Sequence, residues 1–215
     1  TRVGIKIVDG HQTTDINFPG LSPTAGDLAE LNDRITALAG PGRWFVLSGS
    51  VPPGVPSGIY ASMIDSIHGR GGCVALDTSG PALREALASR PEVVKPNVDE
   101  LSELIGYEPS DVIAAARALG VRRVAVSMGE AGAVFVDGDN ALRARPPKVP
   151  VRSTVGAGDA MVAGLVYGMI RDLLLEEAAR FATASGAYAV TRVGSGIENP
   201  EEHRNLMSRV EIERL

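Results

Sequence analysis

The run "STVGAGDAM", residues 153–161, sets two glycines and a carboxylate ahead of an apolar helical pattern. Gly156 and Gly158 flank Ala157, Asp159 follows, and Val162, Leu165, Val166, Met169 and Ile170 then share one helix face. The first turn of a helix carries unpaired N–H groups and partial positive charge. Glycines there let an anion come close to those amides. A neighbouring carboxylate can take the proton of an attacking hydroxyl while the amides hold the oxygens on which charge collects. A base and an anion hole at one helix start suit phosphoryl transfer. The same residues also fit a plain tight turn, with Asp159 complementing the helix dipole. The run is not a Walker A loop, because no Lys-Ser/Thr pair follows. Nor is it a dinucleotide fingerprint, because Met161 stands where a third glycine is needed.

Three further loops carry polar groups at suggestive spacings. In "KPNVDE", Asn97 and Glu100 stand at i and i+3, which is the spacing of a capping box. It is also a polar pair that could organise Mg²⁺ and its waters around nucleotide phosphates, and the two uses are compatible. Lys95, at the end of the preceding strand, could face a phosphate or solvent. "SMGEAG" reads as a turn between two strands through Ser127, Gly129 and Gly132, or as hydroxyl and backbone contacts to phosphates. "SGSVPPG" ends an apolar strand in a loop stiffened by Pro52 and Pro53, shaped either for structure or for a substrate pocket.

These loops need a scaffold, and the composition bounds it. The 215 residues suit one large domain or a core with a small appendage, and 44% hydrophobic residues suffice for a packed core. Aromatics are 4% while small residues abound, which favours helices packed closely on a buried sheet. The net charge is −5 and no block of five basic residues occurs, which argues against nucleic-acid binding. Cys73 is the one cysteine, so no internal disulfide forms; a reducing, cytoplasmic setting fits, with Cys73 in core packing. His11, His68 and His203 lack zinc-ligand spacing and read as surface or loop residues. No apolar run reaches a membrane span, and no signal peptide opens the chain.

Strand and helix patterns then alternate. Residues 1–20 read as a hairpin or ribbon that could be a lid or edge strands. Residues 24–39, 57–68 and 81–89 read as helices, with strands at "RWFVLSGS", "CVALD" and "EVVKPN". Residues 98–120 read as two short helices broken near "GYEPS". "RRVAVSMG" and "AGAVFVDG" read as antiparallel neighbours, and 140–152 as irregular extension. Helices follow over 157–171 and 175–191, with a charged helical tail at 200–215. The whole is an α/β layered domain with a mainly parallel sheet, whose informative loops lie beyond the carboxyl ends of strands.

"SGSVPPG", "LDTSG", "KPNVDEL", "VSMGEAGAV" and "STVGAGDAMVAG" occur in an order that resembles the ribokinase-like (PfkB-type) carbohydrate kinases. With the opening "TR", they are most similar to the phosphosugar branch, which holds the kinases of fructose 1-phosphate, tagatose 6-phosphate and fructose 6-phosphate. The resemblance covers nearly the whole chain. It implies a ribokinase-like α/β/α fold and MgATP-dependent transfer of a γ-phosphate to a sugar hydroxyl, with fructose 1-phosphate the first candidate. It makes Asp159 the base and Gly156, Ala157 and Gly158 the anion hole. Asn97 and Glu100 match an Asn-x-x-Glu motif that acts near Mg²⁺ through water. Lys95, Asn97, Ser127, Gly129, Glu130, Gly132 and Gly158 line the ATP site, with Thr183 where many members have Asn. Arg2 and Ser50 lie on the sugar side. Ser153, in place of an Asp that helps hold a monovalent cation, puts a K⁺ site in doubt.

Members of the family also carry a segment before "TR" that supplies early strands, part of the sugar site and a dimerising lid. The chain is therefore expected to be the C-terminal portion of a homodimeric kinase, incomplete in its sheet at the N-terminus and prone to self-association. The competing expectation is a non-catalytic nucleotide-binding or interaction module. A dehydrogenase is disfavoured by the missing fingerprint.

Overall fold

The computed structural model describes residues 4–9, 12–18, 20–194 and 196–215. Strands β1 (Gly4–Asp9) and β2 (Gln12–Asn17) pair antiparallel as a two-stranded sheet. The expected hairpin is present, but as its own ribbon rather than an edge of the central sheet. Helix α1 (Ala25–Leu38) follows, opened by a capping box between Thr24 and Asp27.

A regular alternation comes next: β3 (Trp44–Ser48), α2 (Ile59–His68), β4 (Cys73–Asp77), α3 (Gly80–Ala86), β5 (Val93–Val94), α4 (Val98–Ile105), α5 (Val112–Ala118) and β6 (Arg123–Ser127). Then β7 (Ala133–Asp137) and β8 (Asn140–Arg145) form a meander, α6 (Ala157–Ile170) and α7 (Leu175–Val190) an antiparallel-style helix pair, and α8 (Pro200–Ser208) leads into β9 (Glu211–Arg214). The seven strands stand in chain order, β3 to β9. Pairings from β3 to β6 are parallel and those from β6 to β9 antiparallel. The sheet is thus mixed: its parallel half holds the site, and its other half is a meander.

Alternation along the strands sorts two cores. Val74, Leu76, Val124, Val126, Val134 and Val136 meet Ile64, Ile67, Leu83 and Leu101 from α2, α3 and α4. Ala75, Ala125, Ala133 and Phe135 meet Val162, Leu165, Ala182 and Tyr188 from α6 and α7. Successive strand residues point to opposite faces, so one strand feeds both layers. The face with small residues is the one where helices crowd. A Cβ on Gly164 would lie 2.7 Å from Ala182 Cα, so only glycine lets α6 and α7 approach this closely.

Three expectations change. Residues 140–152 are not all irregular, because Asn140–Arg145 completes a hairpin with β7. The tail is helical only to Ser208; Glu211–Arg214 then adds the last strand, tied to β8 by Arg145–Glu213 at 2.9 Å. "EVVKPN" yields a two-residue strand, because Pro96 has no N–H to continue the ladder. Pairing resumes as a single parallel bridge, Asn97 to Ser127.

His203 also departs from expectation. It is 3% exposed, on α8 against α7, with Nε2 3.0 Å from Ser185 Oγ and its ring 4.7 Å from Phe181. Burial holds its pKa below the ordinary histidine value, against a smaller upward pull from the Phe181 backbone. Cys73 is half-buried on β4, and burial raises its thiol pKa, in keeping with packing rather than reactivity. His68 closes α2 with Nε2 3.3 Å from Glu92, and His11 lies outside the described residues. No helix among the described residues is long and apolar enough to cross a membrane.

Candidate active site

In parallel strands all carboxyl ends lie on one edge of the sheet, and the loops leaving β3, β4, β5 and β6 are neighbours there. They are also stitched together. Gly49 N–H donates to Asp77 O at 2.9 Å, and Thr78 Oγ1 donates to Gly49 O at 2.8 Å. Tyr60, from α2, reaches Ser48 O and Gly49 O at 3.1 and 2.9 Å. Lys95 N–H donates to Leu76 O at 3.1 Å, and Ser127 N–H to Pro96 O at 3.0 Å. Through these bonds "SGSVPPG", "LDTSG", "KPN" and "SMG" form one continuous rim.

Helix α6 delivers its first turn to this rim. Gly156 caps it in the left-handed region, φ 78°, which a side chain would strain. The preceding loop is anchored by Arg152 and Ser153 N–H groups to Val190 O, at 2.7 and 3.3 Å. Ala157 N–H has only a long contact, 3.4 Å, to Thr154 O, and Ala160 N–H bonds Gly156 O at 2.8 Å. Between them, the N–H groups of Gly158 and Asp159 make no hydrogen bond to other described residues, as a helix start dictates.

A cation sits beside those amides. A Cβ on Gly158 would come 3.4 Å from Lys95 Nζ. Lys95 does not project into solvent: its side chain is 7% exposed and pairs with Asp77 Oδ1 at 3.1 Å. Burial pushes the Asp77 carboxyl pKa up, the Lys95 ammonium counters it, and the nearby Asp159 charge pushes it up further. Asp159 itself is exposed and makes no ion pair among the described residues. The arrangement can receive an anion on two amides and an ammonium, next to a free carboxylate.

Asn97 and Glu100 do form the capping box. Asn97 Oδ1 accepts from Glu100 N at 2.7 Å, and Glu100 Oε2 accepts from Asn97 N at 2.8 Å. Glu100 Oε1 remains for a cation or its waters. No group of three or more His, Cys, Asp or Glu among the described residues could hold a metal directly. Hard oxygen donors in small number fit Mg²⁺ that keeps its waters and leans on substrate phosphates.

Ser127 stands at the end of β6, and Gly129 and Glu130 are exposed on the turn after it. Gly132 is buried with φ 90°, and a Cβ there would lie 2.0 Å from Ala144 O. Its glycine is demanded by β8, not by a ligand. Ser50 is exposed on the loop after Gly49. Thr183 is not on the rim: it is buried within α7, 2% exposed, and its Oγ1 has no hydrogen-bond partner among the described residues. One turn on, Gly186 faces the α6 start, since a Cβ there would lie 3.3 Å from Ala157 O. Arg2 lies outside the described residues.

Asp77 is the residue that sequence reasoning passed over. It ends "CVALD", and Lys95 follows the next apolar run; a charge at each of two adjacent strand ends was the available signal.

Residues 1–202 match the model of the pfkB family carbohydrate kinases. A 1-phosphofructokinase of Rhodobacter capsulatus is 45% identical over 224 residues, covering 100% of this chain and 71% of the relative. The 1-phosphofructokinase of Escherichia coli K12 is 36% identical, covering 99% of this chain and 70% of its own length. Among solved structures, phosphofructokinase-2 from Escherichia coli in complex with potassium superposes with a TM-score of 0.87 at 31% identity, over 97% of this chain and 70% of that one. A possible 1-phosphofructokinase from Thermotoga maritima gives 0.87 at 26% identity, over 100% of this chain and 71% of that one.

Proposed function

The chain belongs to the pfkB family of carbohydrate kinases, and on that premise we propose that it transfers the γ-phosphoryl group of ATP to a phosphosugar hydroxyl, fructose 1-phosphate first among acceptors. The observation that carries this reading is the convergence of Asp159, the unpaired amides of Gly158 and Asp159, and the Lys95 ammonium at one helix start.

Phosphoryl transfer asks the protein for position and charge more than for covalent chemistry. Asp159 removes the proton of the acceptor hydroxyl as that oxygen attacks; its exposure at the rim leaves it reachable by a sugar. The amides of the α6 start, with Gly156, Ala157 and Gly158 leaving room for close approach, hold the equatorial oxygens of the transferring group. Lys95 adds a full positive charge at the same point. Ser127, Gly129, Glu130 and Gly132 form the turn beside the nucleotide, where Gly132 acts by shaping the backbone. Thr183 backs the nucleotide side from within α7. Asn97 and Glu100 hold Mg²⁺ through water, and the ion supplies charge neutralisation on the phosphates when bound. Ser50 and Arg2 belong to the sugar side. A K⁺ site is not part of this proposal, because Ser153 brings no carboxylate charge to the position. The intact protein is taken to be a homodimer, and light scattering that gave a tetramer would overturn that.

The test is ADP formation from MgATP with fructose 1-phosphate, fructose 6-phosphate or tagatose 6-phosphate, on the 215-residue chain and on Asp159→Asn. Turnover by the parent, with kcat about 10²–10⁴-fold lower in the variant at unchanged ATP affinity, is the expected result. Binding of MgATP without turnover on any acceptor would favour a nucleotide-binding module instead.

A further inference from the structure

Lys95 poses a physical problem that the reaction alone does not solve. An ammonium with a 7% exposed side chain, set against the positive end of α6, is doubly unfavourable. A lone lysine there would turn away toward solvent, and the anion site would lose its one full charge. Asp77 is its only ion-pair partner among the described residues, at 3.1 Å. Its carboxylate is fixed from below: Asp77 ends β4 in register with Ser48, and its carbonyl accepts from Gly49 N–H.

Resting on the kinase reading above, we propose that Asp77 is a positioning residue for nucleotide binding: it holds the Lys95 side chain aimed at the α6 start. Asp77 does not touch the nucleotide. Its effect reaches the phosphates only through Lys95, whose ammonium has three N–H donors and gives one to Asp77. The carbonyl of the same residue, with Thr78, fixes the Gly49 loop, so one strand end sets both the phosphate cation and the wall of the acceptor side.

An affinity cycle tests this on the 215-residue chain. MgATP binding is measured by calorimetry for the parent, Asp77→Asn, Lys95→Met and the double variant, with melting temperature recorded for each. The expected result is that each single variant weakens MgATP about tenfold while the double variant is no weaker than Lys95→Met alone, which is strong coupling. A general loss of structure would not produce that pattern, because two structural defects accumulate. Losses that multiply in the double variant would overturn the proposal, as would parent-like binding in Asp77→Asn. Should Asp77→Asn not fold, Asp77→Glu replaces it, keeping the charge but displacing it by one methylene. Weakened MgATP binding at parental melting temperature then supports the role, and unchanged binding removes it. A parent that binds no MgATP at all sinks the kinase reading itself, an outcome separate from the pattern of the variants.

Discussion

Gly132→Ala gives the sharpest separation between a glycine kept for a ligand and one kept for the fold. The turn that holds Gly132 is proposed to border the nucleotide, so sequence alone allows either role. The backbone at this position has φ 90° and ψ −131°, a region that residues with a Cβ rarely enter. The added carbon would also stand 2.0 Å from Ala144 O and 2.9 Å from Ala144 C. Ala144 lies on β8 opposite Ala133, so relief requires parting β7 from β8. Backbone strain of about 1–3 kcal/mol and overpacking of about 1–3 kcal/mol give a loss of about 2–6 kcal/mol. For a chain of this size that lowers Tm by about 4–24 °C, and about 12 °C is the central expectation. Gly129→Ala is the control: φ is 58°, and no atom lies within 4 Å of the new Cβ, so the loss is about 1 kcal/mol. Thermal unfolding followed by far-UV circular dichroism, with and without saturating MgATP, reads both. A Gly132→Ala protein melting within about 2 °C of the parent would refute the steric argument. Equal melting of both variants would likewise show that the β7–β8 contact is not what fixes this glycine.

Asn97→Ala removes the α4 cap and should lower stability by about 1 kcal/mol in urea unfolding, while Glu100→Gln keeps a capping group and should not. If Glu100 holds Mg²⁺ through water, Glu100→Gln instead raises the Mg²⁺ concentration needed for half-maximal ATP binding; an unchanged Mg²⁺ titration would confine Glu100 to the cap. His203 has a folded pKa held below that of the unfolded chain, so the unfolded state binds the proton first as pH falls. Its contribution is intact above about pH 6.5 and lost below it, and Tm should fall more steeply from pH 6.5 to 5 in the parent than in His203→Gln. Parallel pH profiles for the two proteins would show that His203 is not the titrating group.

Much of the scaffold was legible because local chemistry and tertiary demand agree in it. The capping residue Asn97, the apolar face after Asp159 and the two antiparallel neighbours around "SMGEAG" each declare themselves within a few residues. Elements whose order comes from partners did not. "EIER" has a single apolar residue and becomes a strand only because β8 offers an edge and Arg145 a counter-charge. His203 looked like a surface residue because its neighbours Glu201, Glu202 and Arg204 are charged. On the helix, however, it shares a face with Leu206, and that face is what α7 covers.

The site failed to be fully legible for a different reason, and the reason suggests a rule. Motifs mark residues that are close in sequence, whereas Asp77 and Lys95 belong to different motifs and meet only because β4 and β5 are parallel neighbours. In a sheet whose strands stand in chain order, the residues that follow each apolar run occupy one edge whatever separates them in sequence. Reading those positions in turn from β3 to β6 gives Ser48, Asp77, Lys95 and Ser127. Two of the four are opposite charges, on adjacent parallel strands. A buried charge at such an edge needs a partner, and the adjacent strand end is where the fold can supply one. Strand order therefore makes the pair deducible, whereas no single motif contains both of its members.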